Sequence, residues 1–265
     1  MEQNINNKKK HTGIWIGIIV LGIVLIVVGT ICARTFYSEN SDNKETYSKT
    51  FDSVDIQNIK VDSGLMNLRV ERSQDDIKNI GVNGTDLLKN RLKCEVRNGT
   101  LTIEYKKKRL LDFIDTPFLD GGKDIADANI TITVPDKVFD KIDIEAGVGT
   151  TEIDDITVAE FDFDGGIGES SFTYMDILRN ADIDVGVGEF YFSGELNGDI
   201  DIDSGVGSVT MDIDGYKLDY NINYDKGVGD VEINGSNIES TNEKHKIDID
   251  CGVGEVNLNF KGSNY

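Results

Sequence analysis

The sequence predicts an all-β chain, a parallel β-solenoid (a single-stranded β-helix) with two or three strands per coil of about 20 residues, behind an N-terminal transmembrane helix. Three observations predict it. The phrase Gly-Val/Ile-Gly occurs six times, at Gly147–Gly149, Gly166–Gly168, Gly186–Gly188, Gly205–Gly207, Gly227–Gly229 and Gly252–Gly254. The first glycines stand 19, 20, 19, 22 and 25 residues apart. Such a period belongs to stacked units in which each repeat touches only its neighbours. Apolar and polar residues also alternate before every phrase, the mark of a strand with one buried face. Finally, Gly13–Ile31 is an uncharged apolar run of 19 residues, enough for a helix to cross a hydrocarbon core of about 30 Å.

That run orders the chain along the membrane normal. Lys8, Lys9, Lys10 and His11 precede it, and Arg34 alone follows closely. Basic residues stay on the cytoplasmic side, so residues 1–12 read as a cytoplasmic tail and residues 13–33 as an uncleaved signal-anchor. The apolar run is longer than a cleaved leader requires, and Ile31-Cys32-Ala33 is a poor cleavage site. Trp15 stands where an interfacial aromatic is expected. Residues 34–49 are polar and read as a stalk. Residues 50–129 read as an N-terminal β region, and residues 130–265 as the acidic glycine-repeat solenoid.

Charge follows the same division. Net charge is +2 over residues 1–33, −1 over 34–129 and −22 over 130–265. The acidity of the repeats argues against nucleic acid as a partner, because phosphates are repelled. The expected partners are the bilayer, through residues 13–33, and an envelope, cell-wall or protein component. Cys94 and Cys251 lie at apolar positions of strands and read as free thiols. No CxxC pair or Cys/His cluster suggests zinc.

Within the N-terminal region, Ser63-Gly64-Leu65-Met66 reads as a divergent first repeat with Met66 in place of the second glycine. Asn98-Gly99 between two alternating runs predicts a two-residue hairpin, since both residues tolerate positive φ. Asn83-Gly84 is a second turn candidate. Lys106–Asp127 breaks the strand rhythm and reads as an insertion. It carries a basic cluster (Lys106, Lys107, Lys108, Arg109) and then an apolar stretch, and either covers an open sheet edge or touches a membrane or partner.

In the repeats, the residues three and five before each first glycine point inward: Ile142/Ile144, Phe161/Phe163, Ala181/Ile183, Ile200/Ile202, Ile222/Tyr224 and Ile247/Ile249. The middle Val or Ile keeps that parity, which places Val187 and Val206 in the apolar ladder. Inward residues then resume at odd spacing, as in Phe190/Phe192 and Val209/Met211. An odd shift in a period of two needs a bulge or corner, and the second glycine sits on it. Gly194–Asp199 and Asn234-Gly235 supply turn signals that close the coil. The outward residues are acidic or Asn, so stacking brings carboxylates to about 5 Å from one another. Solvated acidic faces are the plainer reading; weak Ca²⁺ sites are the other. The nine-residue phrase of calcium β-rolls is absent.

The segments Asn98–Lys108, Ile130–Pro135 and Phe139–Gly149 together resemble the bacterial putative adhesin family of β-strand repeat proteins, over roughly residues 50–260. The family is a domain of unknown function related to envelope-stress operon proteins, and the resemblance carries over no catalytic residue. It implies a non-catalytic, membrane-anchored, surface-exposed β-solenoid acting as an adhesin or binding scaffold at the bacterial cell envelope. An accessory or sensor protein of a cell-envelope stress response is the alternative. A polysaccharide-active β-helix enzyme is a third reading. Against the enzyme, the Asp residues recur in every repeat, whereas a catalytic pair is singular. His245 reads as an exposed loop residue. No catalytic, cofactor-binding or metal residue is assigned, and no cofactor is expected. The expected location is the cell membrane, single-pass, with the C-terminal part extracytoplasmic.

Overall fold

The computed structural model describes residues 44–105, 128–238 and 244–262. These residues form one mixed sheet of 13 strands. The first seven strands are short: β1 (Lys44–Asp52), β2 (Asn58–Asp62), β3 (Asn67–Arg72), β4 (Asn79–Leu88), β5 (Leu92–Arg97), β6 (Thr100–Tyr105) and β7 (Asn129–Val134). The glycine repeats follow as six long strands: β8 (Val138–Asp154), β9 (Thr157–Thr173), β10 (Asp176–Gly194), β11 (Asp199–Ile213), β12 (Tyr220–Asn234) and β13 (His245–Phe260). The main hydrogen-bonded path runs β1-β4-β7-β3-β8-β9-β10-β11-β13-β12. β2 joins β8 to β6, and β5 pairs with β6.

Each repeat is thus one continuous strand of 15 to 19 residues with the glycine phrase at its middle. Neighbouring repeats are parallel and in register, so Val148, Ile167, Val187, Val206, Val253 and Val228 follow one another across the sheet. The second glycine explains why the phrase is fixed. Gly149, Gly168, Gly188, Gly207 and Gly254 all have φ between 144° and 150°. A Cβ on Gly168, Gly188, Gly207 or Gly254 would overlap the carbonyl oxygen of the glycine in the strand before it in the stack. Only glycine meets both demands, the positive φ and the close backbone approach.

The first repeat is split between β2 and β3. β2 pairs with the arm of β8 before the corner (Ile59 with Ile142, Val61 with Ile144), and β3 with the arm after it (Leu68 with Thr151, Val70 with Ile153). Between them Leu65 bridges to Val148, and a Cβ on Gly147 would overlap the Gly64 carbonyl. Ser63–Met66 is therefore the expected divergent corner. The Asn98-Gly99 hairpin forms between β5 and β6, with φ of 49° and 78°.

The core lies along the inward ladders. Phe161, Phe163, Phe172 and Phe190 make its aromatic centre, with Phe172 edge-on to the other three at 5.4, 4.9 and 5.0 Å between ring centroids. Edge-to-face packing of this kind adds to simple area burial.

Several expectations are corrected. Residues 44–49, assigned to the stalk on composition, belong to β1 and pair with β4, because Phe51 is buried and the polar alternates face solvent. Asn83-Gly84 is no turn. It lies inside β4, paired with both β1 and β7, and Gly84 leaves room for the Leu87 side chain. His245 is not a loop residue; it opens β13, half-buried with its ring 6.0 Å from Tyr220. The middle Val or Ile of the phrase is half-buried in five of the repeats and exposed at Val228 of β12, rather than fully inside. The stacking order also departs from chain order: β13 sits between β11 and β12. The expected cytoplasmic tail, the expected transmembrane segment at residues 13–33 and the Lys106–Asp127 insertion lie outside the described residues.

The exchange of the last two repeats has a physical reason. The inward residues of β13 are Ile247, Ile249, Cys251, Val256 and Leu258, all buried. β12 carries Lys226 where β13 has Cys251, and Tyr224 where β13 has Ile249. An ammonium between two stacked strands would be desolvated without compensation, so β12 belongs at the end of the stack.

Candidate functional surface: two columns of carboxylates

The arm before each corner alternates apolar and acidic residues, and parallel in-register pairing converts this alternation into columns. One column runs Lys60, Asp143, Asp162, Asp182, Asp201, Asp248, Asn223. The next runs Asp62, Glu145, Asp164, Asp184, Asp203, Asp250, Asp225. Successive members stand one strand apart, about 4.8 Å.

Cations are distributed unevenly along the columns. Lys60 Nζ lies 2.5 Å from Asp143 Oδ2, Lys141 pairs with Asp162, and Lys246 pairs with Asp248. Among the described residues, Asp164, Asp182, Asp184, Asp201 and Asp203 make no ion pair. The titration of the carboxyls reflects this. Partial burial, and then the neighbouring carboxylates, holds Asp182, Asp184 and Asp203 above the usual Asp range. Asp248 is held below it by the Lys246 ammonium and by a hydrogen bond from Asn223 Nδ2 at 3.0 Å. At the β12 end the columns border a shallow concavity of about 430 Å³ between Asp201, Asp203, Asp225, Asp248, Asp250 and Tyr224.

On the other arm, after the corner, the acidic residues beside β3 are paired with arginines. Arg69 pairs with Glu71 and Glu152, and Arg72 with Asp136 and Asp155. The arm after the corner is mixed polar, with Glu169, Glu189, Tyr191 and Ser208 beside a concavity of about 260 Å³. There Tyr191 Oη donates to Asp212 Oδ2 at 3.0 Å, and Lys261 Nζ is 3.1 Å from the same oxygen. Among the described residues no three His, Cys, Asp or Glu side chains are grouped so as to hold a metal ion. Cys94 and Cys251 are free thiols, the first half-buried and the second buried. Burial pushes both thiols up in pKa, so neither is an activated nucleophile.

Residues 191–259, from the second arm of β10 to the end of β13, match the family model for the N-terminal domain of toast_rack, DUF2154. The match is to a family of unknown function. The resemblance expected from the sequence, to a β-strand family of unknown function, is borne out. Among curated proteins nothing matches the chain. Among solved structures it is similar to a putative cell adhesion protein from Clostridium sporogenes, with 16% identity, a TM-score of 0.45, and 82% of this chain and 100% of that one covered. It is also similar to a putative adhesin from Bacteroides fragilis, with 18% identity, a TM-score of 0.36, and 81% and 97% covered. A third is a putative lipid binding protein from Parabacteroides distasonis, with 16% identity, a TM-score of 0.30, and 82% and 97% covered. At these values the likenesses carry no argument about function.

The feature that sequence reading missed is the end of the stack. Its signal was present in the spacing: 22 and 25 residues around Gly227 leave enough chain for the final repeat to fold back between β11 and β12.

Proposed function

We propose that this chain is a non-catalytic β-solenoid held at the bacterial cell envelope by residues 13–33, displaying its repeats outside as an adhesin-like binding scaffold. The observation that supports it best is the in-register stack of the glycine repeats, which holds two carboxylate columns side by side over successive strands. A face repeating every 4.8 Å or so suits an extended partner that presents spaced cations or hydrogen-bond donors. Chemistry confined to one pair of carboxylates is not favoured by a pattern that recurs in every repeat.

The test is retention of the full chain, in detergent, on isolated cell-wall material and on host matrix. Asp182→Asn/Asp184→Asn/Asp201→Asn/Asp203→Asn serves as the comparison. Retention that falls in the variant and weakens with salt supports the reading. Equal retention of both proteins, or none by either, sinks it.

A further inference from the structure

β13 and β12 close the stack, and they are held very differently. The inward residues Ile247, Ile249, Cys251, Val256 and Leu258 of β13 are at most 3% exposed. β13 is bonded along both edges, to β11 and to β12. β12 is bonded to β13 and, among the described residues, to no other strand. After Tyr220, its first residue, no residue of β12 is buried. Tyr224 and Val228 are 53% and 55% exposed, and Ile222, Val231 and Ile233 are half-buried.

The corner is the weakest part of that contact. Lys226 stands in register with Cys251 and is exposed, its Nζ 3.5 Å from Asp230 Oδ1. An ammonium keeps its water, so β12 gains no apolar burial where it crosses Cys251. Gly229 is also the one second glycine of the phrase without a positive φ, so β12 does not take the corner conformation that the other five share. The firm contact is at the start of the strand. Tyr220 is buried, its Oη donates to the Leu196 carbonyl, and its ring is 5.2 Å from Phe260. Beyond it, Lys217 reaches the Ile233 carbonyl, and Asn223 and Asn234 donate to Asp248 and Asn259. Water competes for side-chain bonds of this kind, so each adds little.

What β12 covers is a thiol. A Cβ on Gly229 would lie 3.0 Å from Cys251 Sγ, which places the sulfur directly under the β12 backbone. On its other side β11 covers it, with buried Ser204 in register. Cys251 is closed to solvent in the complete stack, and lifting β12 bares it.

Elements with few buried contacts open at a lower free energy than the whole fold. We propose that β12 is a detachable strap. It leaves the stack as a unit, with Tyr220 as its fixed point, while β8–β11 and β13 stay folded, and its departure bares the bent edge of β13 and the Cys251 thiol. The proposal does not depend on the adhesin reading.

Its test is alkylation of the full chain in detergent micelles by N-ethylmaleimide, with Cys251 followed by peptide mass, beside amide hydrogen exchange. Alkylation of Cys251 is expected without denaturant. Its rate should rise only slightly over low urea, together with exchange of the β12 amides, whereas exchange in β9 and β10 rises steeply. Lys226→Val is expected to slow alkylation about tenfold or more, because it supplies the missing apolar contact. Phe172→Ala is expected to speed exchange in β9 and β10 and to leave the alkylation rate unchanged. Gly188→Ala takes its place where Phe172→Ala does not fold. Alkylation that follows β9 and β10 exchange through urea and through these variants overturns the proposal. So does a thiol that stays unreactive until the whole chain unfolds, or an unchanged rate in Lys226→Val.

Discussion

Gly188 has a φ of 144°, and a Cβ there would overlap the Gly168 carbonyl oxygen. Strain of this kind costs about 1–3 kcal/mol before the steric overlap is added. Gly188→Ala is therefore expected to destabilise the chain by at least about 2 kcal/mol in denaturant unfolding. Gly81 lacks both constraints, its nearest neighbours to a Cβ being 3.9 Å away. Gly81→Ala is expected to be neutral or to stabilise by roughly 0.5–1 kcal/mol. Equal losses at the two sites would show that the corner is not what fixes the glycine. Phe172 is fully buried among three aromatic rings, so Phe172→Ala should cost about 3–5 kcal/mol. Val187 at the corner is half-buried, and truncating it should cost clearly less than truncating Phe172. The parity of the sequence places Val187 on the inward side, but parity says nothing of how far a residue at a bend is covered by its neighbours.

At the scale of the strand, the carboxylate columns set a pH dependence. Asp182, Asp184 and Asp203 have folded-state pKa values raised by burial and then by the neighbouring carboxylates of the columns. A raised value means that the folded chain binds these protons more tightly than the unfolded chain. Stability therefore rises as pH falls from neutrality through the raised values, and the gain is complete below the ordinary Asp value of about 3.9. Asp248 and Asp212 work in the opposite sense, since their lowered values favour the folded state only while they stay ionised. The raised group lies together at the middle of the columns, so melting is expected to shift upward between neutral and mildly acidic pH. Asp182→Asn/Asp184→Asn should flatten that rise and raise the melting temperature at neutral pH. A native melting temperature that falls steadily on acidification would refute it. Strand alternation and the corner were legible in the sequence because both are properties of one strand. The Asn98-Gly99 hairpin was legible for the same reason, whereas Asn83-Gly84 was not. The same dipeptide is a turn where both residues need positive φ, and a packing gap where a neighbour such as Leu87 needs the space.

Across the whole molecule, what no local pattern discloses is the order in which equivalent strands stack. β12 and β13 carry the same phrase and alternation, and Lys226 against Cys251 and Tyr224 against Ile249 separate an end strand from an interior one. β1 is first on the sheet path and β12 is last, so the N-terminal segment joins the sheet at one end and the strand that tolerates an inward ammonium lies at the other.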